Sequence, residues 1–263
     1  MASHAPGTSS RRPARNDGPR GLVTLAHGEQ PEIDLEIKRS HFLARAHRTD
    51  TMDEAREFIA RVRSAYPDAR HHCSAMTVTV LSESNAPTAS HHPTERSNDD
   101  GEPSGTAGQP MLETLRGTGL ANTTIVVARY FGGTLLGTGG LVRAYSEATA
   151  RALARASRVE LIRRHLWDLR VPVAQAGRIE ADLRSRDRAV AAGPTGTSSG
   201  LGVTSAIRVE ETIWGPTHAV LVLSTSSADP SLLQEPLASL TRGEGAAEPA
   251  GSRLVEVPVP LPA

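Results

Sequence analysis

The chain reads Ser97-Asn98-Asp99-Asp100-Gly101-Glu102-Pro103-Ser104-Gly105-Thr106-Ala107-Gly108 near its middle, and Tyr130-Phe131-Gly132-Gly133 further on. A third glycine group, Gly137-Thr138-Gly139-Gly140, follows soon after. Glycine is favoured where a backbone turns with positive φ or passes close to another group. Residues 97–158 are therefore predicted to form tight turns around one strand, residues 123–129, with a long helix behind them.

The third glycine group lies between that strand and a helix predicted at 141–157. Backbone N–H groups at the start of a helix attract anions, because they are unpaired and the helix dipole is positive there. The sequence therefore predicts an anion- or RNA-binding site whose candidate residues are Arg129, Tyr130, Gly132, Gly133, Gly137, Gly139, Gly140 and Arg143. Two alternatives stay open: the glycines merely allow sharp turns, or Arg129 pairs with Asp100 or Glu102 and ties the glycine groups together.

Three carboxylates, those of Asp99, Asp100 and Glu102, stand close together in the first glycine group. Mg²⁺ binds one or two carboxylates together with water, but aspartates also cap exposed turns, and we favour the turn. His71 and His72 begin a predicted strand and face opposite sides of it, so one of them can reach the cleft beside the glycines. His71, Asp100 and Glu102 are therefore secondary candidates. Residues 133–140 lack the Lys-Ser/Thr ending of an NTPase loop, so we predict no nucleotide cofactor, and no catalytic residue or metal site either.

Composition narrows the function of this 263-residue chain only a little. The formal net charge is zero, which favours neither a nucleic-acid partner nor a membrane surface. Cys73 is the single cysteine, so an intramolecular disulfide is excluded. The sequence has no apolar run of about 18 residues, which predicts a protein that does not cross a membrane and lies in the cytoplasm.

The predicted elements divide the chain into a tail and two domains. Residues 1–20 and the loop 83–96 are poor in apolar side chains and are predicted to be disordered. Residues 21–160 form the first domain, with strands at 33–37, 72–81 and 123–129 and helices at 52–62, 108–115 and 141–157. Residues 161–263 form the second, with strands at 165–173, 201–210, 219–224 and 253–259 and helices at 175–188 and 229–240. The order βαββαβ of the second domain is typical of a ferredoxin-like sandwich.

Long motifs in the first domain match those of the Impact/YigZ family. They are Glu36-Ile37-Lys38-Arg39-Ser40-His41-Phe42, Asp68-Ala69-Arg70-His71-His72-Cys73, Asp99-Asp100-Gly101-Glu102-Pro103, Gly105-Thr106-Ala107-Gly108, Ala128-Arg129-Tyr130-Phe131-Gly132-Gly133 and Leu136-Gly137-Thr138-Gly139-Gly140-Leu141-Val142. The chain resembles this family over roughly residues 30–160. The resemblance implies an α+β fold. Its N-terminal domain would be like the second domain of a ribosomal small-subunit protein, and its C-terminal domain ferredoxin-like, as in translational GTPases.

The resemblance also implies a role in translation, because eukaryotic members regulate a translation stress kinase by competing for its activator. The first hypothesis is therefore a non-enzymatic regulator of translation in the stress response, which binds RNA, the ribosome or a translation-related protein partner. The arginines of the predicted helix 141–157 share one face, which would contact phosphates or an acidic partner. The alternative is a metal-dependent enzyme that handles phosphoryl or phosphodiester groups, built on the acidic turn, the glycine turns and Arg129.

Overall fold

The computed structural model describes residues 21–79, 92–191 and 207–259. Within these ranges the chain forms two five-stranded sheets of antiparallel strands and five helices, so the predicted mixture of α and β structure is confirmed. The strands are β1 (Leu22–Leu25), β2 (Ile33–Ile37), β3 (Ser40–Arg48), β4 (His71–Val78), β5 (Thr94–Asn98), β6 (Thr123–Tyr130), β7 (Arg158–Pro172), β8 (Arg208–Trp214), β9 (His218–Thr225) and β10 (Ala247–Val259). The helices are α1 (Met52–Ala65), α2 (Gly108–Thr118), α3 (Thr138–Arg155), α4 (Val173–Ala191) and α5 (Ser231–Thr241). None of these five helices is long and apolar enough to cross a membrane.

The first sheet has the strand order β2-β3-β6-β4-β5, and β6 is its centre. Residues 125–128 of β6 are fully buried, because helices cover both faces of the sheet. Such a β-branched run suits a central strand, since branched side chains pack well on a pleated surface. On one face Phe58 and Val62 of α1 pack against Val126. On the other face lie α2 and α3, whose apolar sides form the main core.

Strands β2 and β3 form a hairpin, of which the sequence pattern predicts only the first strand. Lys38 and Arg39 both have positive φ, 49° and 66°, as expected in the two-residue turn of a right-twisted hairpin. The hairpin places β3 beside β6, with His41 opposite Tyr130 at one end. It also carries Phe42 under α3, where the rings of Phe42 and Tyr145 meet edge-on with 5.2 Å between centroids.

The second sheet is organised around β7. Residues 158–161 of β7 pair with both β1 and β10, so these two strands lie on opposite edges of it. Further along, β9 pairs with residues 165–172, and β8 lies beyond β9. Helices α4 and α5 cover one face of this sheet and bury Ile179 and Leu237 against Leu221. This second hydrophobic core is separate from the one around β6.

The predicted loop at residues 83–96 is wrong at its end, because residues 94–96 belong to β5. They pair with β4, and Arg96 stands opposite Met76. Most of β5 is exposed, so an edge strand of polar residues leaves no alternating apolar pattern. Glu95 is instead held by Arg116 of α2, with 2.6 Å between Oε2 and Nη2. Residues 83–91 and the tail 1–20 lie outside the described residues, and their disorder stays a prediction.

The limits of other elements also differ from the predicted ones. Helix α3 begins at Thr138 rather than at residue 141, so Gly139 and Gly140 lie inside its first turn. Residues 201–206 of the strand predicted at 201–210 lie outside the described residues, and β8 begins at Arg208. The domain boundary near residue 160 stays a prediction. Strand β7 begins at Arg158, and β1 lies in the second sheet although it precedes the first in sequence.

Candidate functional site

A cavity of about 450 Å³ lies where β6 ends and α3 begins. Its polar wall contains Arg70, His71, Glu102 and Arg129. Its apolar wall contains Pro103, Phe131, Leu135, Leu136 and Leu141, and Gly137 and Thr138 complete it. The cavity therefore brings together the acidic turn, the start of β4, the end of β6 and the start of α3, which are separated widely in the sequence.

Arg129 and Glu102 form a buried ion pair in the wall of the cavity. Nη1 of Arg129 lies 2.6 Å from Oε1 of Glu102, and the two side chains are 7% and 3% exposed. The hydroxyl of Tyr145 donates a second hydrogen bond to the same oxygen, at 2.8 Å. Burial, the neighbouring Cys73 and the Glu102 carboxylate raise the pKa of Tyr145, so its hydroxyl stays protonated as a donor. Of the two partners considered for Arg129, the structure places Glu102 beside it.

The rest of the Arg129 guanidinium contacts aromatic rings. It lies over the ring of Phe42 at 5.4 Å and over that of Phe131 at 5.7 Å, measured to the ring centroids. Such cation–π contacts stabilise a desolvated cation. Within the described residues, Nε and Nη2 of Arg129 have no hydrogen-bond partner. The pair with Glu102 therefore uses only one nitrogen of a group that has five N–H donors.

His71 presents one ring nitrogen to the cavity. Its Nδ1 lies 2.9 Å from the carbonyl oxygen of Asp100. A carbonyl only accepts, so Nδ1 carries the proton, and in the neutral ring Nε2 is an acceptor. That nitrogen lies 4.0 Å from Oε1 of Glu102, in a side chain that is 24% exposed. His72, by contrast, is buried on the other side of β4, where Nε2 meets the carbonyl oxygen of Tyr66 at 2.9 Å.

The carboxylates of Asp99 and Asp100 hold the acidic turn in shape. Asp99 accepts hydrogen bonds from the backbone N–H groups of Gly105, Ala107 and Gly108 at 2.8, 3.0 and 2.8 Å. Partial burial acts to raise the pKa of Asp99, but these three donors bring it below its ordinary value. Asp100 accepts from Arg63 at 2.8 Å and from the N–H of His72 at 2.7 Å. Partial burial acts to raise the pKa of Asp100 as well, but these partners bring it below its ordinary value.

Two glycines of the site have no room for a side chain. A Cβ on Gly108 would lie 2.7 Å from the backbone nitrogen of Asn98, and one on Gly132 would lie 2.0 Å from the carbonyl carbon of Arg39. Gly133 and Gly137 instead have positive φ, 83° and 71°. Gly139 has open space around its Cβ position. The glycine groups thus serve close packing and turning, and the first turn of α3 is left uncovered.

The amino end of α3 lacks a capping side chain. Its N-cap is Gly137, and the first hydrogen bond of the helix runs from the N–H of Leu141 to the carbonyl of Gly137 at 2.9 Å. Thr138 and Gly139, which precede Leu141, are exposed. Uncapped N–H groups at a helix start attract anions. The predicted anion site therefore has a helix end beside the cavity wall.

The structure brings some predicted site residues together and separates others. Arg129 and Gly137 line the cavity, as do the secondary candidates His71 and Glu102. Asp100 contributes through its carbonyl to His71. Tyr130 lies outside the lining. Arg143, which the helix predicted at 141–157 would place in the first turn, is exposed in the second turn of α3.

Sequence reasoning missed Tyr145 and Arg70. Tyr145 is fully buried on the inner face of α3. The sequence did contain a sign of its role, since Tyr145 falls on the apolar side of an alanine-rich helix. A tyrosine buried there needs a hydrogen-bond partner for its hydroxyl. Arg70 is exposed at the rim, directly before His71, and makes no hydrogen bond or ion pair within the described ranges. In those same ranges no three His, Cys, Asp or Glu side chains are grouped so that they could hold a metal ion.

Much of the chain around this site is similar to known proteins. The family model described as the Impact N-terminal domain matches residues 38–153. A Thermus thermophilus protein described as an IMPACT family member is 38% identical over 150 residues, which cover 57% of this chain and 75% of that protein. The chain belongs to the IMPACT family. The IMPACT family member YvyE of Bacillus subtilis is 38% identical over 156 residues, 59% of this chain and 67% of YvyE.

Among the curated IMPACT relatives, YigZ of Escherichia coli is 47% identical over 118 residues. That match covers 45% of this chain and 54% of YigZ, so the chain spans about half the length of this relative. A solved structure described as a hypothetical protein is 29% identical, with a TM-score of 0.47, over 87% of this chain and 96% of that chain. The structure of Yih1, described as a two-domain translational regulator, is 23% identical, with a TM-score of 0.30, over 57% of this chain and 54% of that chain.

Proposed function

We propose that this IMPACT family member is a non-enzymatic regulator associated with translation, which acts by binding RNA or the ribosome. The observation that carries the proposal is the uncapped amino end of α3, which lines the same cavity as Arg70. The guanidinium of Arg70 has no partner among the residues that the structure describes. Both favour a phosphate oxygen, since a helix start supplies N–H donors and arginine supplies a planar pair of donors. The translational role itself is what the resemblance of the motifs implies.

The charges of the cavity support an anionic partner. Arg70 and Arg129 contribute two positive charges and Glu102 one negative charge, so the lining stays positive even when His71 is neutral. The chain as a whole has no net charge. Attraction to nucleic acid would therefore come from this local face rather than from the overall charge.

The test is binding of a fluorescent single-stranded oligoribonucleotide, measured by anisotropy over a range of salt concentrations, with the Arg70→Ala variant. We expect weaker binding and a salt dependence reduced by about one ion. The matched control is Arg186→Ala, which removes an exposed arginine of α4 far along the chain. Co-sedimentation with ribosomes, before and after RNase treatment, separates an RNA contact from a contact with a translation-related protein. Wild-type protein that binds neither RNA nor ribosomes would contradict the proposal.

The second candidate is a phosphoryl- or phosphodiester-handling enzyme. It is favoured by one observation: His71 and Glu102, an acceptor nitrogen and a carboxylate, line the same cavity. General acid–base catalysis needs groups of this kind within reach of a substrate. A screen of phosphatase and nuclease activity with added Mg²⁺ or Mn²⁺, comparing the wild type with His71→Ala, tests it. Activity that survives His71→Ala unchanged would rule out this site as its source.

The finer features of the fold belong to the same proposal. We propose that residues 21–160 form a domain like the second domain of a ribosomal small-subunit protein. We also propose that residues 161–263 form a ferredoxin-like domain. The order β7-α4-β8-β9-α5-β10 and the sheet order β10-β7-β9-β8 support the second assignment. A role in translation would place the protein in the cytoplasm.

A further inference from the structure

The cavity between β6 and α3 has two unlike walls, and together they limit what it can hold. Its volume, about 450 Å³, falls within the range of roughly 300–1,000 Å³ that is usual for small-molecule sites. One wall is polar, with Arg70, His71 and Arg129, and the other is apolar, with Phe131 and Leu135. An occupant that suits both walls carries an anionic group and an apolar or aromatic group within one small unit.

The anionic end is set by donors that have no partner within the described part of the chain. The first turn of α3 is uncapped. Nη2 of Arg129 is without a hydrogen bond among the described residues, although the side chain is only 7% exposed and lines the cavity. Nε of the same guanidinium is buried without a partner, and a buried donor of this kind loses hydration that nothing replaces. An oxyanion in the cavity would accept hydrogen bonds from Nη2 of Arg129, from the N–H groups of α3 and from Arg70.

The apolar end is unusual because it is exposed. Phe131 is 43% exposed and Leu135 is 84% exposed, although both lie on the short loop before α3. Arg129 lies over the Phe131 ring, at 5.7 Å from its centroid. A ring so exposed keeps surface available for an aromatic partner. Stacking on aromatic side chains is how proteins hold unpaired nucleobases.

The two acceptors in the polar wall, on His71 and Glu102, suit a hydroxyl group of the occupant. Nε2 of His71 is an acceptor in the neutral ring, because Nδ1 is bound to the carbonyl of Asp100. The Glu102 carboxylate, which lies 4.0 Å away, also accepts. Two neighbouring acceptors fit a donor such as a ribose hydroxyl better than a second phosphate oxygen.

From these four features we propose that the cavity binds one nucleoside monophosphate unit, either free or as an unpaired nucleotide of RNA. Its phosphate lies at the amino end of α3 with Arg70, its sugar hydroxyls face His71, and its base lies against Phe131. This inference deepens the proposed RNA binding, and for the RNA source it rests on that proposal.

The experiment titrates ¹⁵N-labelled protein with AMP, with ribose 5-phosphate and with inorganic phosphate, and follows the amides of Thr138 and Gly139. We expect AMP to shift these amides and to bind more tightly than inorganic phosphate. Phe131→Ala should weaken AMP by about tenfold or more and leave inorganic phosphate unchanged. The matched control is Trp214→Ala, which removes another exposed aromatic ring, 56% exposed, from β8.

Two outcomes overturn the proposal. In the first, inorganic phosphate binds as tightly as AMP. In the second, AMP changes the chemical shifts of other amides but not those of Thr138 and Gly139. A parallel titration with an oligoribonucleotide separates the two sources. AMP binding by a protein that binds neither RNA nor ribosomes supports a free nucleotide and contradicts the proposed function. RNA binding that Phe131→Ala leaves intact, with no binding of AMP, contradicts this inference and keeps the proposed function.

Discussion

Oε1 of Glu102 accepts hydrogen bonds from both Nη1 of Arg129 and the hydroxyl of Tyr145, at 2.6 and 2.8 Å. One carboxylate oxygen thereby joins the acidic turn to the end of β6 and to the middle of α3. All three side chains are buried. Because Arg129 and Glu102 are buried, their ion pair stabilises the fold. The same two side chains also line the cavity that we propose as a nucleotide site.

Replacing Arg129 by Ala should destabilise the fold. The change leaves the Glu102 carboxylate buried without its cation, which costs about 3–5 kcal/mol in comparable pairs. Urea unfolding followed by circular dichroism measures the loss. The double variant Arg129→Met with Glu102→Gln serves as the control, because it removes both charges, and it should recover part of the stability. An unfolding midpoint of Arg129→Ala equal to that of the wild type would contradict a structural pair.

Replacing Tyr145 by Phe should weaken the same network without opening a cavity. The variant loses only the hydroxyl that donates to Glu102, and hydrogen bonds to charged groups contribute about 1.5–3 kcal/mol. Tyr130→Phe is the matched control, since Tyr130 is half-buried and outside the cavity. Thermal melts of the two variants should differ clearly. Equal melting temperatures would show that the Tyr145 hydroxyl contributes nothing.

Lowering the pH should destabilise the fold through the carboxylates of the acidic turn. The pKa values of Asp99 and Asp100 are lowered in the folded chain, from an ordinary 3.8. Their carboxylates therefore stabilise the fold above that ordinary value, and this contribution is lost as the pH falls through the folded-state pKa values. Asp99→Asn should flatten the fall in unfolding free energy below about pH 4. Asp53→Asn, at an exposed position of α1, is the control. A steep acid limb that persists in Asp99→Asn would contradict the role of this carboxylate.

Cys73 should be inert in the folded protein. It is fully buried on β4, and burial raises the pKa of its thiol to about 12. Because the thiolate is the reactive form, a thiol reagent should label Cys73 only at the rate at which the chain opens. Addition of denaturant should release complete labelling, and Ser185→Cys, exposed on α4, provides a fast-reacting reference. Rapid labelling of native wild-type protein would contradict the burial of β4.

Replacing a glycine by alanine should destabilise the fold where the glycine is closely packed and stabilise it where the Cβ position is open. Gly132→Ala puts a Cβ 2.0 Å from the Arg39 backbone, so the strand end must move and the fold should lose at least about 1–3 kcal/mol. Gly117→Ala, in α2, meets nothing within 4 Å and should stabilise the helix by about 0.5–1 kcal/mol. Chemical unfolding of the two variants gives opposite signs if this geometry holds. A stabilised Gly132→Ala would sink it.

The central elements could be predicted from the sequence, because the residue patterns that define them are local. The β-branched run of β6 and the alanine-rich α3 carry their own periodicity, which needs no knowledge of distant residues. Polar β5 and the short β1 carry no such pattern, so they are defined only by the strands beside them.

The site was harder to predict, because its contacts depend on backbone angles within the acidic turn. Asp100 and Gly101 both have positive φ, 45° and 84°, which directs Asp100 toward Arg63 and leaves Glu102 for Arg129. Residue types alone left both acids open as partners of Arg129. Tyr145 stands 43 residues from Glu102 in the chain, and no local pattern connects the two.

Strand β1 has a consequence for any attempt to divide the chain. It occupies the edge of β7 at residues 158–161, ahead of the point where β9 begins to pair. A fragment that starts at Arg158 would lack β1 and would present a row of unpaired N–H and C=O groups to solvent. Bare edges of this kind recruit strands from other molecules and seed aggregation. Strand β1 thus protects the second sheet against pairing with strands of other molecules.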